Sequence, residues 1–180
     1  MSGQRPGSAP GEPSHQTPSE LRRAFARSVR QARQAAGLTQ QELAEASGCS
    51  PRLLGKIETN AANVKLDTIT RLAKSLGLTE IDLLRPDLDT ATLKRGRRAP
   101  AEPLSKTEPS EFRRRFARNL RERREATGRF QKALAAAAGM PLSAEGDIEV
   151  NAVNVTLDTV TRLAQALGVT EIDLLGPNDR

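Results

Sequence analysis

Residues 18–86 return as residues 109–177, without a gap, at a constant offset. PSELRRAFARSVRQARQAAG becomes PSEFRRRFARNLRERREATG, and VKLDTITRLAKSLGLTEIDLL becomes VTLDTVTRLAQALGVTEIDLL; about 40 of the 69 aligned positions are identical. Self-similarity at a fixed period means one structural unit built more than once. The chain therefore divides into a tail (1–17), a first copy (18–86), a linker (87–108) and a second copy (109–177). The tail is rich in Pro, Gly and Ser and is expected to be disordered. The linker carries a basic knot, Lys94-Arg95-Gly96-Arg97-Arg98.

Each copy reads as five short helices. In the first, Leu21, Phe25, Val29 and Ala32 recur at helical spacing, so a helix runs from about 19 to 36 and stops at Gly37. Thr39 and Glu42 form a capping box that opens a second helix ending near Gly48. Ser50-Pro51 places Ser at an N-cap and Pro at the first helical position of a third, which runs to about Thr59. A fourth spans about 66–76, and Thr79 with Asp82 caps a short fifth. Aromatic residues make up 2% of the chain, with no Trp or Tyr, whereas a sheet core draws on aromatic and β-branched side chains. The expected fold is all-α: two tandem five-helix domains behind a disordered N-terminal tail.

The single His and single Cys narrow the chemistry. Cys49 has no partner for an internal disulfide, and no Cys/His cluster exists to hold zinc. His15 lies in the tail, where nothing orients it. There is no Gly-rich phosphate loop and no paired-carboxylate signal, so an enzyme, a cofactor and a metal are not expected. The formal charge of +6 points to a polyanionic partner. No apolar run approaches the roughly 18 residues of a membrane span, and the N-terminus lacks the apolar core of a signal peptide. No membrane association is expected, and the expected location is cytoplasmic.

Two short helices joined by a turn with Gly make a helix-turn-helix; here the pair is 40–47 and 51–59, hinged at Gly48-Cys49-Ser50. The string Arg30-x-x-Arg33-x-x-x-Gly37-Leu38-Thr39-Gln40-x-x-Leu43-Ala44, then Gly48-x-Ser50, Ile57-Glu58, Leu66-Asp67-Thr68 and Ala73-x-x-Leu76-Gly77 resembles the Cro/repressor-like (XRE) family of transcriptional regulators. The resemblance covers nearly all of the first copy. It implies a lambda-repressor-like fold, double-stranded DNA as partner, a bacterial or phage, nucleoid-associated setting, and a second helix of the pair lying in the major groove. Carried onto this chain, the base readers are Pro51, Arg52, Gly55 and Lys56. Arg52 and Lys56 lie four apart on one face, and both can reach guanine O6 and N7. Gly55 either lets the helix approach DNA closely or packs it tightly on the preceding helix. Arg30, Thr39, Gln40, Ser50 and Asn63 are the implied phosphate contacts, the helix N-terminus adding partial positive charge. The resemblance also implies a structural ion pair between Arg33 and Glu58, mirrored by Arg124 and Glu149, and a packed rather than reactive Cys49.

The copies diverge unevenly. About 12 of 20 positions are identical over 18–37 and about 22 of 30 over 57–86, but only about 6 of 19 over the helix-turn-helix itself. Thr39 becomes Phe130 and Glu42 becomes Ala133, which deletes the capping box. Ser50 becomes Pro141, so the second copy's third helix is expected to start later, capped by Ser143. Arg52 becomes Ser143, Leu54 becomes Glu145 and Lys56 becomes Asp147. With Glu149 these give three acids facing a phosphate-walled groove, so the second copy is not expected to read bases. Its Arg-rich first helix offers Arg114, Arg118 and Arg121 for backbone contact with DNA, or for docking on an oppositely charged partner surface.

Two readings stay open. One is a sequence-specific regulator, repressor or activator, whose first copies pair as a homodimer on a palindrome. The other is an antitoxin-like or adaptor protein whose second domain, 109–177, grips a protein partner.

Overall fold

The computed structural model describes residues 18–89 and 108–177. The tail expected to be disordered and the basic knot of the linker lie outside these residues. Among the described residues there are ten helices and no strand. The first repeat holds α1 (Glu20–Ala35), α2 (Gln40–Ser47), α3 (Pro51–Asn60), α4 (Leu66–Leu76) and α5 (Glu80–Leu84). The second holds α6 (Glu111–Ala126), α7 (Gln131–Ala137), α8 (Leu142–Asn151), α9 (Leu157–Leu167) and α10 (Glu171–Leu175).

Local chemistry sets most boundaries. Ser19 and Ser110 cap α1 and α6, each accepting from the backbone N–H three residues on. Complete capping boxes open α2, α5 and α10. Gly48 and Gly77 end α2 and α4 in the left-handed conformation that suits glycine. Helix α8 departs from expectation. It starts at Leu142, the position equivalent to Pro51, with Pro141 at the N-cap and no side-chain cap. Ser143 is not the cap. The packing of buried Ile148 holds the helix in the register of α3 although its local start signal is gone.

The repeats are not beads on a string. Their buried side chains form one continuous apolar cluster, from Phe25 and Leu43 in the first to Phe116 and Leu163 in the second. They meet about a pseudo-two-fold relation. Leu66 N–H donates to Val155 C=O and Leu157 N–H to Val64 C=O, both at 3.0 Å, framing an antiparallel bridge between Lys65 and Thr156. Helices α4 and α9 lack a side-chain cap of their own. Each borrows one from the other repeat: Asn154 Oδ1 accepts from Asp67 N–H at 3.2 Å, and Asn63 Oδ1 from Asp158 N–H at 3.1 Å. Arg22 pairs with Asp158 at 3.0 Å and Arg113 with Asp67 at 3.2 Å. Through Nε each arginine also holds the carbonyl that ends the third helix of its own repeat, Ala61 or Ala152, at 2.6 Å.

Candidate nucleic-acid interface

In the first repeat, α2 and α3 meet at a turn whose parts are each held by the sequence. Thr39 Oγ1 accepts from Glu42 N–H, and Glu42 returns a carboxylate oxygen to Thr39 N–H at 2.9 Å. Ser50 Oγ accepts from Leu53 N–H at 3.2 Å, and Pro51 occupies the first turn of α3. Leu54 and Ile57 are wholly buried, which turns the opposite face of α3 outward. That face carries Pro51, Arg52 and Lys56, all exposed. Neither Arg52 nor Lys56 has an ion-pair partner among the described residues. Two cations four residues apart therefore project into solvent from a rigid helix.

Behind that face lies a clasp. Arg33 donates from Nε to Glu58 Oε1 at 2.7 Å and from its terminal nitrogen to Oε2 at 2.9 Å, tying α1 to α3. Burial alone would raise the Glu58 carboxyl. The hydrogen bonds from Arg33 and Gln40, with the charges of Arg33 and Arg30, hold it below its ordinary value. Gln40, expected on phosphate, donates its amide to Glu58 at 2.9 Å, so its side chain lies against the second half of α3. A Cβ at Gly55 would stand 3.8 Å from Gln40 Oε1, an ordinary contact, so tight packing on α2 does not require the glycine. Arg30 and Thr39 are exposed. Asn63 is drawn away to the inter-repeat seam, where it caps α9.

The second repeat keeps the frame and exchanges the face. Arg124 and Glu149 repeat the clasp at 2.7 and 2.9 Å, and Gln131 donates to Glu149. The outward face of α8, however, shows Leu142, Ser143, Asp147 and Val150. Phe130 is 81% exposed, Val150 77%, Leu142 51% and Val153 41%, and no large hydrophobic of the first repeat is comparably exposed. Of the three acids expected against the groove, only Asp147 faces out. Glu149 is tied to Arg124, and Glu145 is fully buried. Neither Glu145 oxygen accepts a hydrogen bond, and Arg124 Nε stands 3.6 Å away. Burial, reinforced by neighbouring Glu149 and opposed by Arg124, pushes the Glu145 carboxyl up to about 7. The face is thus altered by lost cations and gained apolar side chains more than by accumulated negative charge.

The sequence of the first repeat matches the family described as helix-turn-helix over residues 29–84, and that of the second matches the helix-turn-helix domain over 115–175. The restriction-modification controller protein C.AhdI from Aeromonas hydrophila is 35% identical, with a TM-score of 0.34, over 34% of this chain and 94% of that one. A hypothetical transcription factor, NHTF, from Neisseria is 31% identical, with a TM-score of 0.36, over 40% of this chain and 90% of that one. No curated protein matches. The chain belongs to the XRE-like helix-turn-helix regulators.

Two features of this regulator escaped the reading of its sequence. The first is the seam, built by Ser19, Arg22, Asn63, Asp67 and their twins. Its signal was present, since all four residues are unchanged between the copies while the neighbouring Lys65 becomes Thr156. The second is Glu145, which stands where the other copy buries Leu54. The Arg-rich helix α6 is also less free than its composition suggests. Arg113 serves the seam, Arg124 the clasp, and Arg115 bonds Leu175 C=O while lying over the Phe112 ring. Arg114 pairs with Glu111 at 3.4 Å and Arg121 with Glu125 at 2.9 Å, while Arg118 is exposed. Cys49 is half-buried in the turn. Among the described residues no His, Cys, Asp and Glu cluster could hold a metal ion, and no helix is long and apolar enough to cross a membrane.

Proposed function

We propose that this protein is a sequence-specific transcriptional regulator that reads the major groove with α3 of its first repeat. Arg52 and Lys56 contact base edges, and Pro51 and Gly55 keep the approach close. Arg30, Thr39 and Ser50 contact the flanking phosphates, and the amide groups at the start of α2 add partial positive charge. The carrying observation is the pair of cations, without ion-pair partners among the described residues, on the exposed face of a helix whose other face is fixed in the core. Fluorescence anisotropy on a selected site tests it. Arg52→Ala and Lys56→Ala should each cost about 1–3 kcal/mol and relax preference at one base pair. Binding equal to that of the parent, from folded variants, refutes the assignment.

A second reading has its own support. The exposed apolar side chains of Phe130, Leu142 and Val150 suit a protein partner rather than phosphate. The second repeat then acts as an adaptor while the first reads DNA. Co-purification of one stoichiometric protein by the full chain, lost on Phe130→Ser with Val150→Thr, is the expected result.

A further inference from the structure

The contacts at the seam are self-complementary. Arg22, Asn63 and Asp67 of the first repeat meet Asp158, the N-terminus of α9, and Arg113 of the second, which are the twins of Asp67, the N-terminus of α4, and Arg22. A first repeat facing the first repeat of another chain would find the same set: Arg22 opposite Asp67, and Asn63 opposite the start of α4. The face that could pair two chains is therefore already filled from within one chain. The exchange at the centre of the seam favours that arrangement. Lys65 lies opposite Thr156 inside the chain, but two paired first repeats would set Lys65 against Lys65, and like charges directly opposite are destabilising.

We propose that the second repeat is a built-in partner that occupies the first repeat's pairing face, and that a second copy of this chain is the competitor it excludes. The chain is then a monomer with one reading helix, and its preferred DNA is a single, non-palindromic half-site. Covalent connection decides the competition. Two modules on one chain meet at an effective concentration on the order of millimolar, about a thousandfold above a micromolar solution of separate chains. The DNA part rests on the reading through α3; the pairing part does not.

Sedimentation of the full chain at micromolar concentration should give the monomer mass, and a dimer mass overturns the proposal. Arg113→Glu with Asp158→Lys sets like charges against Asp67 and Arg22 inside the chain, yet leaves Arg22 and Asp67 able to pair between chains. This variant should sediment at twice the monomer mass and shift its preference from a single half-site to a palindrome. Adding Arg22→Glu with Asp67→Lys restores opposite charges within the chain and should return the monomer. A folded charge-reversed variant that stays monomeric overturns the proposal. A doubled mass without a shift in DNA preference instead sinks the reading through α3.

Should charge reversal unfold the chain, a cross-link decides. Lys65 and Thr156 form a non-hydrogen-bonded antiparallel pair, whose Cα atoms stand about 4.5 Å apart, within disulfide reach. Lys65→Cys with Thr156→Cys, in a Cys49→Ser background, should oxidise within one chain. A covalent dimer on a non-reducing gel overturns the proposal.

Discussion

Leu54 and Glu145 hold the same position in the two repeats, and both are wholly buried. A carboxylate in that place must give up its hydration, and here no hydrogen bond replaces it. Its carboxyl is raised from 4.5 to about 7, so the fold favours the protonated form. The contribution to stability is complete below the ordinary carboxylate value and is lost as pH climbs through about 7. Glu58 works in the opposite sense. Held low by Arg33 and Gln40, it supports the first repeat above the ordinary carboxylate range and loses that support as pH falls. Glu145→Leu should stabilise the protein by about 1–4 kcal/mol and flatten the decline between pH 5 and 8. Thermal unfolding at both pH values checks this, and an unchanged slope would contradict the assignment. Both residues were in plain view in the sequence. The exchange of Leu54 for Glu145 was legible, but its burial was not, because charge predicts an outward side chain and only the packing of α8 on α6 overrides that preference.

At the scale of the helix, the repeats compare a start signal with its absence. Helix α2 opens on a complete capping box, while α7 opens on Phe130 with no side-chain cap. Restoring the box by Phe130→Thr with Ala133→Glu should add about 1 kcal/mol, read as a rise in denaturation midpoint with an unchanged denaturant slope. The starts of α2, α3 and α5 were readable to within a residue or two because Thr39, Ser50 and Thr79 each sit just ahead of an apolar-periodic run. The start of α8 was not. Pro141 and Ser143 argue locally for a late helix, but Ile148 buried beneath it sets the register instead. Helices α4 and α9 begin without a local cap, and nothing in a single copy reveals that an asparagine from the other copy supplies it.

For the molecule as a whole, the shared apolar cluster and the reciprocal seam make the repeats one thermodynamic unit. A single calorimetric transition is the expected behaviour of the parent chain. Asn63→Ala with Asn154→Ala removes both borrowed caps, costing about 1 kcal/mol at each helix start, and should bring the melt closer to two separate steps. A single transition at an unchanged midpoint would show that the seam contributes nothing. By itself the sequence determined the repeat, the ten helices, the helix-turn-helix and the asymmetry between its two outward faces. The helices and the helix-turn-helix follow from spacing, capping and residue type within short stretches of chain, and the repeat and the asymmetry from laying residues 18–86 over 109–177. Tertiary structure alone decided that Asn63 caps a distant helix, that Glu145 lies inside, and that the two copies close on one another. Each depends on which surfaces meet, and that is set by burial summed over residues distant in the chain, such as Asn63 and Asp158, rather than by any local preference.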